Sequence, residues 1–96
     1  MSPENSPRIK LKIFTPRRLA VETEVPSLSL PGLDGELGIL PGHRPLITAL
    51  GQGRLHFPSD GEEESLLVQG GYADIRPDEV LVFAELSNDE DGQARA

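Results

Sequence analysis

The sequence predicts an all-β fold, a flattened antiparallel sandwich or barrel of short strands. Apolar segments of four to eight residues recur along the chain, Pro and Gly clusters separate them at short intervals, and no stretch is long enough for a ten-residue amphipathic helix. The 96 residues suffice for one domain, with a stability margin of about 5 kcal/mol. With 36% hydrophobic residues and 10 glycines the composition is globular rather than disordered.

Met1 to Pro7, "MSPENSP", is polar and proline-interrupted and reads as a loose tail without transit-peptide character. From Arg8, "RIKLKIF" alternates strictly: Ile9, Leu11 and Ile13 fall on one face, Lys10 and Lys12 on the other, the period of a half-buried strand that Pro16 ends. The next segments are "LAVETEV", "SLSL", "LGIL", "LITAL", "RLHF", "SLLVQ", "YADIR" and "EVLVFAEL". Between them stand Pro26, Pro31-Gly32, Asp34-Gly35, Pro41-Gly42, Gly51 to Gly53, "PSDGEEE", Gly70-Gly71 and "RPDE". Pro presets φ and Gly accepts positive φ, so these are reversals, and Asp60-Gly61 is expected to close a hairpin. "VLVFA" is apolar on both faces: it is a central strand covered twice, or its outer face is docked on something. Residues 87–96 form an acidic segment expected to fray, which leaves residues 8–86 as the sandwich domain.

Charge narrows the function. The net charge is −7 and aromatics make up 4%, so the chain lacks the basic stripe and stacking platform of a nucleic-acid binder. Arg8, Lys10, Lys12, Arg17 and Arg18 lie in the first 18 residues, whereas eleven of the sixteen acids lie from Asp60 onward. This split is ordinary solvated surface, or it marks faces that meet different partners. Without cysteine there is no disulfide framework or thiolate metal site, and no apolar run is long enough to insert into a bilayer.

Residues 30–50, "LPGLDGELGILPGHRPLITAL", concentrate glycines and prolines around one histidine. The glycines at 32, 35, 38 and 42 fit no dinucleotide or phosphate-loop spacing, and both motifs need a strand feeding a helix. They read as turn glycines. His43 and His56 are the two imidazoles; with Asp34 and Glu36 near, a metal-dependent hydrolase can be drawn, but the spacing fits no zinc pattern and no Gly-x-Ser-x-Gly elbow occurs. His43 precedes Arg44-Pro45, where the chain is forced extended, and either bonds a turn carbonyl or touches a partner. Glu62-Glu63-Glu64 reads as a solvated hairpin tip. On these grounds the chain is a small rigid β module without a visible active site, more plausibly a binding part than an enzyme.

"GELGILPGHRPLIT", Gly35 to Thr48, resembles the Gly-Glu-x-Gly-x-x-Pro-Gly-His-x-Pro-Leu run of the N-terminal domain of the epsilon subunits of F-type ATP synthases. "LKIFTPRRLAVETEVPSLSLPG" is similar to that domain's opening strands and "GGYADIRPDEVLVFAE" to its closing ones, so the likeness runs from Ile9 to Glu85. The resemblance implies a sandwich of about ten strands. It implies a non-catalytic rotor part that couples the central gamma shaft to the membrane ring of c subunits, on the cytoplasmic face of a bacterial inner membrane, and it implies no cofactor. It assigns Glu36 to the ring contact and His43 with Gly42 to the shaft. Members of this family usually continue into a two-helix hairpin that restrains ATP hydrolysis and in some cases binds ATP; ten residues follow Leu86 here, so neither property is expected of these 96 residues. A freestanding adaptor of the same fold with another protein partner is the alternative.

Overall fold

The computed structural model describes residues 7–86, so the tails expected at 1–7 and 87–96 lie outside the described residues, Pro7 excepted. Seven strands follow in order: β1 (Ile9–Phe14), β2 (Leu19–Val25), β3 (Leu28–Gly32), β4 (Gly35–Ile39), β5 (Leu46–Ser59), β6 (Glu62–Ile75) and β7 (Glu79–Leu86). They form one sheet in the order β2-β1-β7-β6-β5-β3-β4. No helix occurs among the described residues.

The expected alternation in β1 holds, with Ile9, Leu11 and Ile13 buried and the lysines outside. Antiparallel β2 sets Val25, Thr23 and Val21 opposite these three, so both strands turn one apolar face inward. Asp60 and Gly61, at φ 51° and 79°, close the β5–β6 hairpin with positive φ at both central positions, the reversal that matches strand twist.

β5 and β6 are each 14 residues long and pair along their whole length. In β5 the inward residue is Leu50 at one end and Leu55 and Phe57 at the other; in β6 it is Val68, then Ala73 and Ile75. The parity of the buried positions therefore changes around Gly51 to Gly53 and Gly70 to Gly71. At those points the ribbon bends from one layer of the sandwich into the other. One layer holds β2, β1, β7 and the Tyr72 end of the β5–β6 ribbon; the other holds its Asp60 end with β3 and β4. All sixteen buried residues, from every strand, join one core cluster, and none of the described buried residues is polar or charged.

Two expectations need correction in detail. Seven strands stand where about ten were implied, because "LITAL" and "RLHF" are halves of β5, and "SLLVQ" and "YADIR" halves of β6: the glycines bend these strands without interrupting the ladder. The pairing is also not wholly antiparallel, since β1 runs parallel to β7, Lys10 opposite Glu79 through Phe14 opposite Phe83, with the Lys10 amide donating to the Asp78 carbonyl at 3.0 Å. "VLVFA" is central in its layer but is not covered twice: Val80, Val82 and Ala84 are buried, and Leu81 and Phe83 lie half-covered on the outside.

Gly71 carries the bend in β6. Its φ is 138°, the β6–β7 register shifts between Val68 and Gly71, and a Cβ there would collide with the Phe83 carbonyl oxygen. Neither backbone can yield without breaking the ladder. Gly71→Ala is expected to cost about 3 kcal/mol or more, read as a lowered urea midpoint with little change in slope.

Candidate partner-binding surfaces

Glu36 stands on β4, directly opposite Pro31 of β3. The β3–β4 reversal is made by Leu33 and Asp34, and Glu36 lies within the strand on the outer face of its layer. It is exposed, and its Oε2 accepts a hydrogen bond from the Ser29 hydroxyl at 2.8 Å. The reversal itself presents Leu33, 69% exposed, beside Asp34.

Gly42 and His43 lie in the loop from β4 to β5. The His43 amide donates to the Leu40 carbonyl at 3.1 Å, and its Nδ1 donates to the Arg44 carbonyl at 2.7 Å. The imidazole thus bonds a carbonyl of its own loop. The Gly42 amide donates to the Pro77 carbonyl at 2.8 Å, which fastens this loop to the β6–β7 turn. That turn is braced in its own right. Arg76 donates to both Asp74 carboxylate oxygens, at 2.9 and 3.3 Å, lies 3.8 Å from the Glu79 carboxylate, and donates its amide to the Glu79 carbonyl at 2.9 Å. The bonds to Asp74 push the Arg76 guanidinium above its already high ordinary value.

His56 points outward from β5, opposite Ser65, with its Nδ1 4.0 Å from a Glu63 carboxylate oxygen. It lies far along the sheet from the His43 loop. Among the described residues no three His, Cys, Asp or Glu side chains gather as a metal would require. Neither histidine has the partners for the metal-dependent hydrolysis drawn from the sequence.

A feature that composition concealed emerges from the register. Tyr72 pairs with Phe83, Phe83 with Phe14, and Phe14 with Leu19, which lays three aromatic rings across three adjacent strands on one outer face. The Phe14–Phe83 rings stack with centroids 5.1 Å apart at 11°, and Tyr72–Phe83 at 5.0 Å and 25°. Ala49 extends the row beyond Tyr72, and Ile47, 69% exposed, stands next to it on β5. The sequence signal was the apolar outer face of "VLVFA"; the alignment of Phe14 and Tyr72 with it required the register.

What these surfaces offer is a polar face at Glu36, a braced loop at His43 and an aromatic row. Residues 8–87 match the family described as ATP synthase, Delta/Epsilon chain, beta-sandwich domain. The chain belongs to this family. It is 45% identical over 78 residues to the ATP synthase epsilon chain of Dehalococcoides mccartyi, covering 81% of this chain and 56% of that protein. It is 39% identical over 77 residues to the epsilon chain of Carboxydothermus hydrogenoformans, covering 80% and 58%. The chain thus spans a little over half the length of these relatives. Its fold is shared with a chain of the OSCP/F1/c-ring assembly of Euglena gracilis mitochondrial ATP synthase, at a TM-score of 0.74 and 21% identity over 92% of this chain and 60% of that one. It is shared as well with a chain of the Tetrahymena thermophila mitochondrial ATP synthase central stalk and c ring, at 0.65 and 12% over 80% and 63%. The delta/epsilon match starts one residue before β1 and ends one after β7, so it takes in the whole described sheet.

Proposed function

We propose that the chain is a non-catalytic central-stalk subunit of an F-type proton-translocating ATP synthase, coupling the gamma shaft to the membrane c ring from the cytoplasmic face of a bacterial inner membrane. The observation that carries this reading is the family match over residues 8–87, joined to relatives that are named ATP synthase epsilon chain. The architecture suits the task. A part that transmits torque between two surfaces must not shear, and seven strands in one continuous ladder over a dry core resist shear. No helix among the described residues is long and apolar enough to cross a membrane, and association through the c ring needs none.

Glu36 is the ring-facing acid in this reading. An exposed ion pair contributes about 0–1 kcal/mol, so Glu36→Gln should weaken binding to purified c ring by up to about fivefold, more at low ionic strength. Unchanged affinity at low salt removes Glu36 from the interface.

His43 faces the shaft. Its loop is held by backbone bonds through Gly42 and Leu40, so the side chain can be removed with the loss of a single exposed hydrogen bond. His43→Ala should therefore weaken gamma binding about five- to tenfold while lowering Tm by only a few degrees. A collapse of Tm with no specific binding loss assigns His43 to the loop alone.

The reading as a whole is tested by reconstitution. Added to a synthase depleted of this subunit, the 96-residue chain should restore ATP-driven proton pumping and leave ATP hydrolysis largely uninhibited, because the described residues form strands alone and both proposed contacts lie on them or their loops. Failure to co-purify with gamma or the ring overturns the assignment; strong inhibition of hydrolysis shows that the sandwich itself regulates.

A further inference from the structure

We infer that Ser29 is the positioning residue for Glu36: its hydroxyl holds the carboxylate over the open surface above Gly38, leaving Oε1 as a preset acceptor for a donor or cation on a polar loop of the partner. This rests on the reading of Glu36 as the ring-facing acid.

The register makes the contact possible. Ser29 of β3 is directly opposite Gly38 of β4, and Glu36 lies two residues away on the same outer face, so Ser29 and Glu36 are diagonal cross-strand neighbours. A Cβ on Gly38 would meet nothing within 4 Å, so the surface beside the pair is open, and the Glu36 carboxylate meets the Ser29 hydroxyl at 2.8 Å. The residue directly opposite Glu36 is Pro31, which has no side-chain donor to offer. On the other side of Ser29 is His56, which is turned toward Glu63 instead. Ser29 is thus the side chain that holds Glu36. An exposed glutamate otherwise samples many rotamers and loses that freedom when a partner fixes it; a charge-assisted bond from a half-buried strand residue removes part of the loss beforehand.

The test is a double-mutant cycle on c-ring binding with the full 96-residue chain, together with NMR side-chain couplings of Glu36 in the isolated chain. Ser29→Ala should weaken ring binding about threefold, and Ser29→Thr, which keeps the hydroxyl, should bind like the parent. In a Glu36→Ala background, Ser29→Ala should cost nothing further. The couplings should report one dominant Glu36 rotamer in the parent and in Ser29→Thr, and averaging in Ser29→Ala. An equal loss from Ser29→Ala in both backgrounds, or an averaged Glu36 in the parent, overturns the inference. If Glu36→Ala binds the ring as tightly as the parent, the ring reading falls, and the couplings alone decide whether Ser29 orders Glu36.

Discussion

The pairing of β5 with β6 is the constraint on which every outward-facing residue depends. Thirteen cross-strand pairs run from Leu46 opposite Ile75 to Ser59 opposite Glu62, and this one ribbon belongs to both layers of the sandwich. Because side chains alternate with period two, a slip of one residue would carry Leu55, Phe57 and Val68 out of the core together. The tight Asp60-Gly61 turn fixes the register at one end and the Gly70-Gly71 bulge fixes the bend. From that frame β3 and β4 are added beside β5, and β7, β1 and β2 beside β6. The parallel β1–β7 pair lets the first and last described strands lie side by side inside their layer, so both ends of the described chain are tied into the core.

The two layers expose unlike outer faces, and the difference is not the one the charge distribution suggested. The lysines of β1 face acids of β2, Lys10 opposite Glu24 and Lys12 opposite Glu22, so the basic opening of the sequence is interleaved with carboxylates instead of forming a basic surface. What distinguishes that layer is the stacked row of Phe14, Phe83 and Tyr72. The other layer turns out mainly small and polar residues, Ser29, Gly38 and Ser65, with Arg54, Glu36 and His56 among them and Leu67 opposite Arg54, and Arg54 donates to the Ser65 hydroxyl at 3.2 Å. An apolar aromatic face suits a contact that excludes water; a polar face of small residues suits one that keeps it.

Local pattern made much of this legible. The alternation of Ile9, Leu11 and Ile13, the Asp60-Gly61 hairpin and the absence of any helix-length segment each follow from chemistry within a few residues. The strand count did not, because Gly51 to Gly53 and Gly70-Gly71 have the composition of turns, and only long-range pairing shows that the ladder runs through them. The Ser29–Glu36 bond, the Gly42–Pro77 bond and the aromatic row were hidden for the same reason. Each joins residues brought together by register or by a tertiary approach, and no spacing along the chain encodes that.

The Gly42–Pro77 bond bears most directly on how such a module could transmit force. The β4–β5 connection is the six-residue Leu40–Pro45 segment, whose Pro41-Gly42 turn is closed by the His43 amide on the Leu40 carbonyl, and held by that turn alone it would move independently of the sheet. Its bond to Pro77 joins it to a turn that Arg76 braces through Asp74 and Glu79, and β7, which leaves that turn, is the central strand of its layer. A load applied at His43 therefore passes to the β6–β7 turn through the Gly42–Pro77 backbone bond, and from that braced turn into β7 inside its layer. Glu36, by contrast, sits on the edge strand β4, whose only ladder is to β3, so the two proposed contacts differ in stiffness as well as in chemistry. A stiff loop against a rigid partner and a more compliant edge against a polar one is the mechanical division that a coupling element between unlike surfaces requires.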